Sequence, residues 1–539
     1  MPCCTIAAEA PAGRTTRAGW LLLALAVLLA GGVSATLRPE EELGKRIFRS
    51  GEGAGGREIP ATLGTEGVET TATTLPCAGC HGRDGRGRPE GGVAPPDVTW
   101  AALTRPYSVA PNGGRLHPPY TERLVKRAVT LGLDAAGNPL DRTMPRYRLT
   151  QEEAAALVSY LKRVGEERDP GISEGAIRLG VVLPPAGTPA AMSEAIRRPL
   201  EAAARRIGER GGLYGRRIEL RFLAPPEPAA ERRAAVARFL DGEEVFALLA
   251  PFLVGAEAEL AGLAREREIP AVGPFTIHPA TGPPWNRWVF YLLPGLEEQA
   301  RALADFALER DRRERRERPG TRAVVARPRG ELAEVAAAIR DQGSRQGDAT
   351  AVNFAEVEYP PGDPGPAVAA AAGAGALFFL GSAADARTAQ AALAAAGSPP
   401  DLFLLGALAG AAAPGPGLAS RVFLALSTLP SDLTGRGAEL YRQLGPGFET
   451  PPRPPSVQLA ALAAAETLFE ALERAGRDLS REKLVAALEG LQGYDTGLTP
   501  PLTFGPNRRV GAMGAYVVTP GGDGRDNGLV TASGWITPR

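Results

Sequence analysis

Cys77-Ala78-Gly79-Cys80-His81 sets two thiols three residues apart with an imidazole directly after them. At this spacing the thiols can form thioethers to the two vinyl groups of a porphyrin while the histidine offers one axial nitrogen to its iron. The implied chemistry is one-electron transfer by a single covalently attached haem c, held by Cys77, Cys80 and His81. Two other chemistries use the same cysteine spacing. A structural zinc ion needs about four ligands, yet the remaining cysteines, Cys3 and Cys4, precede a hydrophobic leader. A redox dithiol opens a helix after a strand, whereas Gly82, Gly85, Gly87, Gly91 and Gly92 follow here.

Haem iron in an electron carrier usually takes a second axial ligand, and a methionine there raises the potential relative to a second histidine. Of the four methionines, Met1 is the initiator, and Met192 and Met513 fall far from the haem motif. Met144 lies in Asp141-Arg142-Thr143-Met144-Pro145-Arg146-Tyr147, just ahead of a helical pattern. Pro145 disfavours helix at the residue before it, which leaves the Met144 thioether on an extended loop that can approach the iron. Met144 is therefore the expected sixth ligand. His117, in Leu116-His117-Pro118-Pro119-Tyr120, is its competitor, although a lone loop histidine more often makes hydrogen bonds than it ligates. His278 lies too far along the chain.

Two helices must position this set. Glu41 to Arg49 puts Leu43, Ile47 and Phe48 on an apolar side, and Gln151 to Val164 offers Ala155, Leu157, Val158, Tyr160 and Leu161 for packing. Thr150 and Glu153 make a capping box at the second helix. Farther upstream, Arg14 and Arg17 form a basic n-region, Trp20 to Ala30 an apolar h-region and Val33-Ser34-Ala35 a small-residue cleavage site. Residues 1–35 thus read as an export signal and the protein as periplasmic. An uncleaved anchor is the alternative and would bring membrane contact, but the apolar run is short of the ~20 residues a spanning helix needs. Removal of the leader leaves only the haem cysteines, so stability must come from packed cores. The 61 basic and 61 acidic side chains cancel, which removes the electrostatic case for a nucleic-acid partner. The basic run Arg310 to Arg318 is interrupted by Asp311, Glu314 and Glu317 and reads as a solvated helix end or loop.

Residues 38 to 165 resemble the mono-haem class I cytochrome c family. The resemblance is carried by Gly44-Lys45-Arg46-Ile47-Phe48, the haem motif, Pro95-Pro96-Asp97, Met144-Pro145 and the helix with Ala155, Leu157, Tyr160 and Leu161. It implies an all-α domain over residues 36–165 whose terminal helices cross. It also implies that a proline carbonyl, from Pro95 or Pro96, orients the histidine ring.

Beyond a linker at 166–176, marked by Asp169-Pro170-Gly171, short apolar runs alternate with Ala-rich helical stretches. Ile177–Leu183, Ile218–Phe222, Val245–Ala250, Arg322–Ala326, Ala376–Leu380, Leu402–Leu405 and Val422–Leu426 are strand candidates. Ala190–Gly208, Ala229–Leu240, Glu297–Leu308, Glu331–Gln342 and Ala384–Ala396 are helix candidates. The alternation argues for an α/β architecture with parallel sheets covered on both faces.

The order then resembles the type I periplasmic solute-binding proteins, the branched-chain amino-acid-binding kind, over residues 177–520. Carrying it are Ile177-Arg178-Leu179-Gly180-Val181, Gly211 to Ile218, Ile269-Pro270-Ala271-Val272 and Leu502-Thr503-Phe504-Gly505-Pro506-Asn507. It implies two Rossmann-like lobes joined by three crossings, near Leu293–Leu296, Ser427–Pro430 and Thr499–Leu502, with residues 521–539 as a C-terminal tail. By position in the family pattern, Phe252, Thr276 and Tyr291 are the pocket candidates, with core or hinge packing the alternative for Phe252 and Tyr291. Two departures count against a plain amino acid as ligand. Ala250-Pro251-Phe252-Leu253-Val254-Gly255 holds no serine or threonine where members of the family present hydroxyls, and Leu462-Ala463 stands where Tyr-Asp is usual.

Together the two resemblances imply an exported electron-transfer protein, not an enzyme. Haem c would take an electron from a periplasmic donor and pass it to an acceptor, while the second module recognises a small molecule or docks a partner. Two other classes share these features: a solute-binding receptor of an ABC-type importer or sensor that carries a haem redox module, and a haem subunit of a periplasmic dehydrogenase. Catalysis at the iron needs an open sixth position, which a stable Met144–iron bond closes.

Overall fold

The computed structural model describes residues 37–538 apart from 65, 88–92, 106–115, 281, 315–321, 346–352, 397, 411–417, 430–431, 433, 444–454 and 522–528. Residues 1–35, read above as an export signal, Gly91, Gly92 and residues 315–318 of the basic run lie outside the described residues. The chain divides into two units, Met1–Glu167 and Arg168–Arg539.

The first unit runs α1 (Pro39–Ser50), β1 (Pro60–Leu63), β2 (Val68–Thr71), α2 (Cys77–His81), α3 (Trp100–Leu103), α4 (Glu122–Leu131), β3 (Arg146–Tyr147) and α5 (Gln151–Leu161). Pro39 fits the first turn of α1, and Glu40, Glu41 and Glu42 lie at its electropositive end. The expected capping box is present on α5, where the Thr150 hydroxyl accepts from Glu153 N at 3.2 Å and the Glu153 carboxylate accepts from Thr150 N at 2.9 Å. α1 and α5 cross at Gly44, where a Cβ would fall 2.0 Å from the Ala156 carbonyl oxygen. Ile47, Phe48, Leu157 and Tyr160 bury themselves around that crossing, with the Phe48 and Tyr160 rings 5.7 Å apart.

The first unit is not all-α, as the resemblance implies; it carries an antiparallel sheet in the order β2-β1-β3. Val68, Thr70 and Thr71 favour a strand, and Gly64 and Gly67, at φ 74° and 66°, turn the chain between β1 and β2. Strands of four and two residues are too short to display an alternating pattern.

In the second unit, β4 (Ala176–Val182), β5 (Arg217–Leu223), β6 (Ala247–Leu249), β7 (Ala271–Val272) and β8 (Val289–Phe290) form a parallel sheet ordered β5-β4-β6-β7-β8. Helices α6 (Ala190–Glu209), α7 (Ala229–Gly242) and α8 (Glu257–Arg267) connect these strands. After α9 (Leu296–Glu314), a second sheet is ordered β10-β9-β11-β12-β13-β14-β15, from β9 (Arg322–Pro328), β10 (Asn353–Tyr359), β11 (Ala376–Phe379), β12 (Asp401–Leu405), β13 (Val422–Leu426), β14 (Ala515–Pro520) and β15 (Leu529–Ile536). α10 (Ala333–Arg345) and α11 (Ala383–Ala394) lie between its strands in sequence. α12 (Pro455–Ala475) and α13 (Arg481–Glu489) return to the core of the first sheet.

Every strand and helix candidate of this half has a counterpart, with ends shifted by a few residues. Three particulars differ. β14 and β15 pair antiparallel, so the second sheet is not wholly parallel. β15 lies inside the stretch read as a tail and forms the sheet's edge; its polar and small residues, with Gly534 near the end, give no buried-strand signal. Leu502, Phe504, Val510 and Ala512 still belong to the core of the first lobe, so the chain leaves it between Ala512 and Ala515, not near Thr499–Leu502. Backbone bonds from Gly511 N to Tyr291 O (2.8 Å) and from Ala512 N to Leu292 O (2.9 Å) hold that segment in the first lobe.

The segment read as a linker is tied down within each unit. Glu167 accepts from Lys45, Arg49 and Tyr160. Asp169 accepts from Arg481 N at 2.7 Å, and Ile172 bridges to Ile177.

The buried Glu153 of α5 sets the acid tolerance of the first unit. Burial pushes its pKa up, but the Arg57 guanidinium and the amides of Thr150 and Ala54 outweigh burial and hold the carboxyl at about 2. Because the folded carboxyl titrates below the unfolded one, this contribution of roughly 3 kcal/mol is complete above about pH 4.3 and fades as the pH falls toward about 2. Glu153→Gln is expected to abolish that acid dependence and to cost roughly 3 kcal/mol at neutral pH, measured by amide exchange of α5 in the full-length protein across that range.

Candidate functional site

Pro76 precedes α2, a single helical turn that places Cys77 and Cys80 three residues apart and His81 four after Cys77. Cys77 is half-buried and Cys80 is exposed, with no disulfide between them. Burial pushes the Cys77 thiol up to about 12, the opposite of the lowered value that a reactive dithiol needs.

A glycine-rich return brings an acceptor to His81. Gly87, at φ 88°, donates its N–H to the His81 carbonyl at 2.8 Å, and a Cβ at this position would fall 2.1 Å from Pro95 O. Lacking that atom, Gly87 lets Pro95-Pro96 run close by, and His81 Nδ1 lies 3.0 Å from Pro96 O. Of the two prolines named from sequence, Pro96 makes the contact. A carbonyl can only accept, so Nδ1 carries the hydrogen and Nε2 keeps its lone pair. His81 is 7% exposed, and burial holds its pKa below the ordinary histidine value, which favours the neutral ring that ligates metal.

Met144 follows a turn in which Asp141 Oδ1 accepts from Thr143 N (2.9 Å) and Thr143 Oγ1 (2.8 Å), while Met144 N donates to Asp141 O (3.1 Å). The thioether is half-buried against the same hydrophobic cluster as Cys77, Ala78, Trp100 and Leu103. His117 is buried, with Nδ1 2.8 Å from Pro118 O and its ring 5.1 Å from that of Tyr120 in an edge-on contact. Two thiols on one helical turn, a buried imidazole with a defined lone pair and a half-buried thioether on one core fit the donor set of a c-type haem. Arg146 and Tyr147, which sequence reasoning did not single out, also touch this region: Tyr147 OH donates to Leu75 O at 2.6 Å. Their position directly after Met144-Pro145 was the available signal.

In the second unit, strand order β5-β4-β6-β7-β8 reverses direction between β4 and β6, the switch point at which open α/β sheets take ligands beyond the carboxyl ends of their strands. Phe252 lies at that point, its N–H bonded to Val182 O at 2.8 Å, its backbone bridged to Phe275 and its ring 6.5 Å from the Phe275 ring. Thr276 is next to Phe275, but its hydroxyl donates to Glu257 Oε1 at 2.8 Å, at the first residue of α8. Phe252 and Thr276 are thus brought near one loop pair. Tyr291 is 3% exposed within the first lobe's core, paired through its backbone with Val510 and Arg509, so core packing accounts for it. Leu462 and Ala463 are wholly buried in the same core.

Comparison with known proteins divides the chain at the same place. The family model described as periplasmic binding protein matches residues 176–525, and that described as cytochrome c matches residues 67–165. No match is found among curated proteins. Solved structures similar in fold include a fatty acid ABC transporter substrate-binding protein from Thermomonospora curvata, at 16% identity and TM-score 0.53, covering 69% of this chain and 94% of that one. A leucine-binding protein from Thermotoga maritima has 17% identity and TM-score 0.51, covering 67% and 99%. An ABC transporter substrate-binding protein from Desulfitobacterium hafniense, in complex with Leu, has 19% identity and TM-score 0.51, covering 66% and 99%. At these identities the likeness is one of fold.

Tyr291→Ala is expected to destabilise the second unit by roughly 3–5 kcal/mol, the cost of removing a core ring, as read from urea unfolding of the full-length protein. A much smaller loss would favour a pocket contact over core packing for Tyr291.

Proposed function

The chain belongs to the periplasmic binding protein family and carries a cytochrome c domain ahead of that module, and from this premise we propose that it is an exported one-electron carrier whose second module binds a small molecule. The cytochrome c domain implies covalently bound haem c, redox partners follow from it, and a small-molecule ligand follows from the binding module. Among the described residues, no helix is long and apolar enough to cross a membrane.

In this reading Cys77 and Cys80 would hold one haem c through thioethers, and His81 Nε2 and the Met144 thioether would be its donors to iron. When bound, the group supplies a reversible one-electron couple. The chain's own residues set the terms of that couple. Pro96 O holds the His81 tautomer and ring plane through Nδ1, and a hydrogen bond to that nitrogen makes the other a stronger donor. Burial of His81 and the half-burial of Met144 would limit water around both donors. A thioether ligand favours the reduced state relative to a second imidazole. The observation that carries the reading is the contact between His81 Nδ1 and Pro96 O.

The second module supplies recognition, not turnover. We read the three places where the chain passes between the cores of its lobes as the hinge on which they close, with the crevice at the carboxyl ends of β4 and β6 taking the solute. The Thr276 hydroxyl is bonded to Glu257, a carboxylate that repels an anion, so a plain amino-acid carboxylate is disfavoured there.

Full-length protein produced with haem-attachment machinery is expected to show reduced c-type absorption bands, and Met144→Ala to lose the thioether–iron absorption with haem still attached. Protein without haem bands sinks the reading. Thermal denaturation of the same protein against small metabolites is expected to reveal a solute as added stability, about 2.7 kcal/mol at a hundred times its Kd.

A further inference from the structure

We propose that Arg146 and Tyr147 are the positioning residues for the Met144 thioether, an inference that rests on the reading of a haem c held by Cys77, Cys80, His81 and Met144. The two residues form β3, fixed by pairing with Thr62 and Ala61 of β1. From that strand one side chain reaches the Leu140–Met144 loop and the other reaches Leu75, just ahead of the cysteines.

Arg146 reaches back over the loop that carries the sulfur. Its Nη1 donates to the carbonyls of Asp141 (3.4 Å) and Met144, and its Nη2 to that of Leu140 (3.4 Å). One planar guanidinium thus gathers three main-chain carbonyls of the Leu140–Met144 loop, a task for its rigid fork that a lysine ammonium cannot copy. Space for it comes from Gly132, the cap of α4 at φ 68°, where a Cβ would fall 1.8 Å from Arg146 Nε. Leu140 N donates to Gly132 O at 2.8 Å, so the loop is also tied to the end of α4.

Tyr147 reaches toward the thiols. Its ring is 4% exposed and its hydroxyl donates to Leu75 O at 2.6 Å, two residues ahead of Cys77. The turn that bears the cysteines and the loop that bears the thioether are therefore held in one frame by contacts that need no metal. A ligand held in advance loses little freedom on binding and competes better against a free one.

Titration of the ferric full-length holoprotein with imidazole tests this, because imidazole competes with the thioether for iron. Tyr147→Phe, which deletes one neutral hydrogen bond, is expected to raise imidazole affinity about fivefold. Arg146→Gln is expected to raise it at least as much, and Arg146→Lys to recover only part of the loss. A merely structural role would move the urea midpoint of the first unit while leaving imidazole affinity within about twofold of wild type, and that result in any variant that retains haem overturns the inference. Wild-type protein lacking a thioether–iron absorption overturns the underlying reading, and this inference with it; a normal wild type with unchanged variants overturns this inference alone.

Discussion

A buried imidazole bonded through Nδ1 to a main-chain carbonyl is the contact on which the rest of the first unit depends. Left without a partner, the ring could turn or change tautomer, and either nitrogen could face the interior. The Pro96 carbonyl removes that freedom, and burial keeps the ring neutral. The crossing of α1 and α5, the short sheet and the glycine-rich return then serve to bring a carbonyl, a helical turn and a thioether loop onto one hydrophobic cluster. The fold positions donors, and the donors define the chemistry.

The second unit follows a different logic. Its two sheets are almost wholly apolar inside, and the first is also covered by helices that arrive from a distant part of the sequence. α12 packs against the first sheet closely enough that a Cβ on Gly273 would meet that of Ala464 at 2.4 Å. The buried Arg206–Glu466 ion pair joins α6 to α12. These contacts hold one lobe together across some 260 residues of sequence.

Much of this was legible in the residues. The haem motif announced its chemistry because thiol spacing and an adjacent imidazole leave few alternatives, and Met144 was the candidate ligand because so few thioethers exist to choose from. Continuous apolar runs such as Leu402–Leu405 marked buried parallel strands, and Thr150 with Glu153 marked a helix start. What sequence hid was set by contacts distant along the chain. β3 is a strand only because β1 lies beside it. β15 is a largely exposed edge whose Thr531, Ser533 and Gly534 interrupt its apolar residues. Leu502 to Ala512 stays with the first lobe through backbone bonds to Tyr291 and Leu292, which no local pattern reports. Tyr291, a pocket candidate by position with core packing as its alternative, is buried in the first lobe's core. Arg146 passed unnoticed because a guanidinium serving carbonyls looks, in sequence, like any surface arginine.

The acceptor for His81 belongs to the main chain, so no exchange of side chain at position 96 can erase it. Natural variation can alter only how near that carbonyl comes, and the nearness is governed at position 87, where a hydrogen stands in place of a methyl group. Inherited tuning of this centre's electronic poise could thus be written at a residue that touches neither the ring nor the metal, and would escape a comparison confined to the ligands themselves.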